Sequence, residues 1–123
     1  MDNTEDIVSG ISREKIVTRM GGNIELADKI TAMFISTAPQ YLADIEAAVA
    51  EKDAEQIQRT AHRLKGALGT LTTEEPYTTA FALENLGREN GVDKADEVYG
   101  QLRTQVYSFC HTLSSELKEE AHG

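Results

Sequence analysis

With 123 residues the chain is long enough for one hydrophobic core and too short for two, and its single cysteine, Cys110, rules out an internal disulfide framework. Twelve Lys and Arg against 21 Asp and Glu leave a net charge of −9 with no basic run, which excludes nucleic acid and anionic membrane surfaces as partners. The N-terminal MDNTEDIVSG has no signal-peptide pattern and no apolar run reaches the ~18 residues of a membrane span, so a soluble cytoplasmic protein is expected.

Only two prolines occur, and long stretches repeat at helical period without alternating strand patterns or hairpin turns, so the chain reads as all-α. Ser12 is a good N-cap for a short first helix that Gly21-Gly22 stops near Met20. Asn23 caps a second helix, whose stripe of Ile30, Phe34, Ala38, Tyr41, Ile45 and Val49 steps by three or four as far as Ala50. Pro39 either bends that helix or splits it in two. Asp53 with Gln56 resembles a capping box and opens a third helix to about Leu71. Thr72 to Pro76 make a turn leading into an acidic first turn of a fourth helix, which runs to Asn90 and is closed by Asn90-Gly91. Asp93 is positioned to cap a last helix with Ala95, Val98, Leu102, Val106, Phe109, Leu113 and Leu117 on one stripe. Short connections between long amphipathic helices predict an antiparallel four-helix up-and-down bundle with a short N-terminal cap helix. Without a repeat or linker the expected organisation is one domain over residues 1–123, its core at about 11–117. The chain reads as self-contained, with a domain of a larger kinase as the alternative.

The third helix has two distinct faces. Ile57, Ala61, Leu64, Leu68 and Leu71 form its core stripe, and at 100° per residue His62 falls about 140° from the centre of that stripe, facing water. Glu55, Gln58, Arg59, Lys65, Gly66 and Gly69 lie within about 60° of His62 by the same count. A glycine inside a helix costs about 1 kcal/mol relative to alanine, so two on this face need a reason. At Gly66 the missing side chain opens an approach for another molecule to the imidazole. Lys65 is a mobile point charge able to neutralise an anion such as a phosphoryl group, and Arg59 adds to its field. Cationic neighbours also favour the neutral, nucleophilic imidazole.

Other motifs carry less. Gly66-Ala67-Leu68-Gly69 follows no strand and sits mid-helix, so it is neither a P-loop nor a dinucleotide fingerprint, and no ATP binding is expected. His111 beside the last stripe and His122 in the tail read as bystanders. Arg59, not a carboxylate, stands three before His62, so no metal site is expected, and no hydrolase triad is readable. Cys110 reads as a buried or half-buried thiol. Plain helical scaffolding remains open at this point, with the acidic surface serving solubility.

Ala61-His62-Arg63-Leu64-Lys65-Gly66 resembles the signature of histidine-containing phosphotransfer (HPt) domains of multistep two-component phosphorelays. Phe34 with Pro39, the apolar helix ending before Asp53, and Leu83-Glu84 followed by Gly87-Arg88 are similar to the flanking pattern of that family, from about Ile11 to Leu117. The resemblance implies a four-helix bundle whose exposed histidine takes a phosphoryl group from one receiver-domain aspartate and passes it to another. By that resemblance His62 is the phosphoacceptor, Lys65 the nearby cation and Gly66 the clearance for the partner. Gln58, Arg59, Gly66 and Gly69 make up the expected docking face. The implied partners are response-regulator receiver domains and a hybrid histidine kinase, with Mg²⁺ supplied by the receiver and no cofactor of the chain's own. A monomeric carrier without kinase activity is expected, and a receiver-docking adaptor that is not phosphorylated is the alternative. One departure stands out: Thr72 and Thr73 occupy positions where many relatives carry Gly-Ala.

Overall fold

A computed structural model describes the backbone over residues 12–122 and the side chains over residues 12–117. The acidic N-terminus with Ile11, and the side chain of His122, lie outside the described residues. Five helices follow one another: α1 (Arg13–Arg19), α2 (Ile24–Ala50), α3 (Ala54–Gly69), α4 (Tyr77–Arg88) and α5 (Val92–His122). Among the described residues there is no strand.

The helix ends follow from their capping chemistry. Ser12 Oγ accepts from Lys15 N at 3.1 Å and Asn23 Oδ1 from Leu26 N at 3.0 Å, while Gly21 and Gly22 turn the chain between them with φ of +70° and +88°. Pro39 does not split α2, which continues through it as a single helix. The proline is exposed, and buried Phe34, Ala38, Leu42 and Ile45 carry the apolar stripe past it without a change of register. Ile30 and Tyr41 lie at the margin of that stripe rather than within it.

The capping box at Asp53 is half formed. Its carboxylate accepts from Gln56 N at 3.2 Å, but Asp53 N is engaged by Ala48 O at 3.1 Å and closes the end of α2, with Lys52 in the left-handed region at φ +51°. α3 stops at Gly69, two residues short of Leu71, which is nonetheless buried in the core. Thr72 is also buried. Its Oγ1 accepts from Glu74 N at 3.0 Å and its N–H donates to Leu68 O at 2.8 Å, so this threonine builds the turn after α3.

Two further ends differ from expectation. α4 begins at Tyr77 after Pro76, which places Glu74 and Glu75 in the preceding turn and leaves the first helical turn without an acid. Asp93 lies inside the first turn of α5 and is not its cap, because the Asn90-Gly91 closure of α4 runs directly into the helix. There Asn90 adopts φ +60° and Gly91 N donates to Leu86 O at 2.7 Å.

α3 packs on α2 and α4, α5 packs on the same two helices, and α1 lies across α2 and α5. Phe34 meets Phe109 edge-on at 5.8 Å, whereas Leu42 O accepts from the Tyr99 hydroxyl at 3.2 Å, so residue numbers fall along α2 as they rise along α5. Burial first, then Glu46, pushes the Tyr99 phenol up to about 12, and it serves as a donor at all ordinary pH. Ile57, Ala61, Leu64, Leu68 and Leu71 are all buried at the centre. Truncating one of these leucines to alanine costs about 2–5 kcal/mol. Arg13 pairs with Asp28 at 2.9 Å and Arg19 Nη2 donates to Gly69 O at 2.5 Å, which fastens α1 to α2 and to the end of α3.

No helix among the described residues is long and apolar enough to cross a membrane. Cys110 is half-buried, and burial pushes its thiol up to about 11, leaving it almost entirely protonated at neutral pH.

Candidate functional site

The site lies where the outer face of α3 meets α4. Gly87 sets the distance between the two helices: a Cβ there would fall 2.5 Å from Gln58 N and 2.8 Å from Ala54 O, so only glycine lets the backbones come this close. One turn earlier on α4, Glu84 is thereby brought within reach of α3. Its side chain is 4% exposed, on a stripe otherwise made of Thr79, Ala80, Leu83 and Gly87. A carboxylate so placed needs compensating partners.

It has three. His62 Nδ1 lies 2.9 Å from Glu84 Oε2, Lys65 Nζ forms an ion pair at 2.8 Å with Oε1, and Arg88 Nη2 donates to Oε2 at 3.0 Å. Burial alone pushes the Glu84 carboxyl up, but the contacts and charges of Lys65 and His62 together outweigh it and hold the group below the ordinary carboxylate range. An ionised carboxylate only accepts, so the proton of the hydrogen bond to His62 sits on Nδ1. The neutral ring then keeps a free lone pair on Nε2. The His62 side chain is 64% exposed, as the face count on α3 predicts.

Because Glu84 titrates lower when folded than unfolded, its stabilisation is complete above the unfolded value of about 4.3 and is lost as the pH falls through the folded value. Glu84→Gln is expected to lose about 1–2 kcal/mol at pH 7 relative to the parent, and the gap is expected to close toward pH 3. Denaturant midpoints of both proteins at the two pH values measure this. An unchanged gap at pH 3 would assign the loss to packing instead of charge.

Lys65 differs from the solvated lysine that the sequence suggests. It is 17% exposed, tied to Glu84, and its ammonium lies 4.6 Å from the centre of the Phe81 ring. The α3 face count could not place a carboxylate that arrives from α4. Arg59 lies beside His62 but pairs with Glu55 at 2.9 Å, with both side chains mostly in water, which screens much of its field. A groove open to solvent holds Gln58, Arg59, His62, Arg63, Glu84 and Arg88. Gly66 lies outside the groove and is exposed, with no atom within 4 Å of the space a Cβ would take. Gly69 is less open than Gly66: it is half-buried, and a Cβ there would meet the Tyr77 ring at 3.2 Å, so this glycine helps fit α3 against α4. His111 is exposed on α5.

Sequence reasoning missed the joint role of Glu84, Gly87 and Arg88. The available signal was a glutamate on the apolar stripe of α4, a placement that demands a cation on the neighbouring helix.

A family model described as the Hpt domain matches residues 29–112, which include α3, α4 and most of α2 and α5. The chain belongs to the Hpt domain family. No curated protein and no solved structure matches it. Hpt domains are phosphocarrier modules of two-component phosphorelays, not kinases, and they interact there with receiver domains and kinases. The matched Hpt segment contains His62, Lys65, Glu84 and Arg88, while α1 lies outside it.

Proposed function

We propose that the chain relays a phosphoryl group between receiver-domain aspartates and holds it in transit on Nε2 of His62. The observation that carries this reading is the bond from His62 Nδ1 to Glu84, which fixes the tautomer and leaves the exposed nitrogen as the nucleophile. The Nε2 lone pair attacks phosphorus in line, the P–O bond to the donor aspartate breaks, and the carboxylate leaves with the electron pair. The ring retains its Nδ1 proton and becomes cationic, and Glu84 lies against that charge. Attack by the next aspartate reverses these steps. Lys65, held against Glu84 Oε1, adds its positive charge beside the phosphoryl group, and Mg²⁺ comes with the receiver. No nucleotide is needed, because the energy resides in the aspartyl phosphate.

In this reading α2 to α5 form an antiparallel four-helix up-and-down bundle capped by α1, and residues 1–123 act as one monomeric domain. Response-regulator receivers and a hybrid histidine kinase are its partners, and a cytoplasmic location follows from theirs. Gln58, Arg59 and Gly66 remain the docking residues.

The test is incubation with a phosphorylated receiver and Mg²⁺. Phosphate that is acid-labile and alkali-stable is expected on this chain, and failure to transfer from any of a panel of phosphorylated receivers would sink the reading. Docking across Gly66 is tested by Gly66→Gln, whose Cβ enters open space and whose helix gains up to ~0.5 kcal/mol. Transfer is expected to slow by about ten- to a hundredfold, since a small misplacement of reacting groups has effects of that size. Wild-type exchange by this variant would show that the partner does not pass over Gly66.

A further inference from the structure

We infer that Arg88 is a positioning residue for the reaction at His62, acting through Glu84 to select the Nδ1–H tautomer. The inference rests on the proposed phosphotransfer at His62 for its rate effect, but not for its structural effect. Glu84 is loaded unevenly. Its Oε1 faces Lys65 Nζ at 2.8 Å, while Oε2 receives both His62 Nδ1 at 2.9 Å and Arg88 Nη2 at 3.0 Å. Lys65 and His62 come from α3, whereas Arg88 stands one turn after Glu84 on the same helix.

These partners pull in different ways. A neutral imidazole is the weakest of the three, and a carboxylate facing Lys65 alone is drawn to turn both oxygens toward the ammonium, away from the ring. Arg88 supplies a permanent counter-charge at Oε2 and keeps that oxygen where the ring proton meets it. The guanidinium is itself braced, because Nη1 donates to Asn85 Oδ1 on the same helix. Arg88 and the reacting ring thus share one carboxylate oxygen, through which the guanidinium acts on the ring proton. Its side chain is 50% exposed, so replacing it leaves the core untouched.

The experiment uses the full chain with ¹⁵N-labelled histidine. Long-range ¹H–¹⁵N spectra at pH 8 read the His62 tautomer in the unphosphorylated protein, and single-turnover transfer from a saturating phosphorylated receiver reads the rate. In Arg88→Met the Nδ1–H form is expected to give way to a mixture, with transfer slower by about five- to tenfold and receiver affinity unchanged. Arg88→Lys is expected to restore the parent tautomer and most of the rate. A parent-like spectrum in Arg88→Met overturns the proposal, even where transfer slows, because Arg88 would then act on the phosphoryl group or the partner. An altered tautomer with parent-like transfer overturns it too, as does an Arg88→Lys protein that behaves like Arg88→Met. Failure of the parent to accept phosphate overturns the phosphotransfer reading instead, and the tautomer comparison still decides whether Arg88 orients Glu84.

Discussion

His62→Gln is expected to fold like the parent and to take up no phosphoryl label. The side chain is mostly in water, so the substitution removes a nucleophile and one hydrogen bond without opening a cavity. Glu84 keeps Lys65 and Arg88 as charged partners, which limits the stability loss to about 1 kcal/mol. Glutamine can occupy the space of the ring but carries no lone pair able to displace a carboxylate from phosphorus. His111 is exposed as well, yet among the described residues no carboxylate or cation pairs with it to fix its tautomer, so it is expected to take no label in either protein. Label on the chain before and after the substitution, with the parent and His62→Gln melting together, is the measurement. Equal labelling of both would discard His62 as the acceptor.

The second large effect is structural and comes from Gly87. Alanine at this position puts a Cβ inside the contact distance of Gln58 N and Ala54 O, both backbone atoms that cannot rotate aside. The helices must separate, and overpacking of this kind costs about 3 kcal/mol, a fall in Tm of roughly 10 °C for a domain of this size. The same alanine at Gly66 meets nothing, and there the better helix former is expected to leave Tm unchanged or raise it by a few degrees. Thermal unfolding of the two variants side by side checks the contrast. If Gly87→Ala melts with the parent, the closeness of α3 and α4 is not what glycine provides. Because Glu84 rides on α4, separating the helices also loosens its hold on His62, and slower phosphate uptake is expected to accompany the lower Tm.

The core was largely legible in the sequence because helical period alone determines which residues turn inward. Ile57, Ala61, Leu64 and Leu68 follow their count to the centre, and the same count places His62 outside. Ser12 and Asn23 cap as expected, since that chemistry involves only neighbours along the chain. What failed was non-local or depended on competition. Asp53 N was claimed by the closing turn of α2, a bond that a reading confined to α3 does not contain. Gly66 and Gly69 look equivalent on a helical wheel, and only the arrival of Tyr77 from the next helix separates an open position from a packed one. Lys65 fails for the same reason. Its exposure was decided by Glu84 and Phe81, both on α4, and a face count on α3 has no knowledge of either.

The placement of His62 on a single exposed face beside Gly66 has a consequence for traffic. On the proposed relay, a donor and an acceptor would both bring an aspartate to the same nitrogen, so each would exclude the other while bound. Transfer would then go by turns: arrival, transfer, departure, and only then the next arrival. Throughput would depend on how fast a spent receiver leaves as much as on the chemistry, and a large excess of either unphosphorylated donor or acceptor would slow the whole sequence by occupying the face. Inhibition at high receiver concentration is therefore the expected result of a shared face, with no separate regulatory site required to produce it.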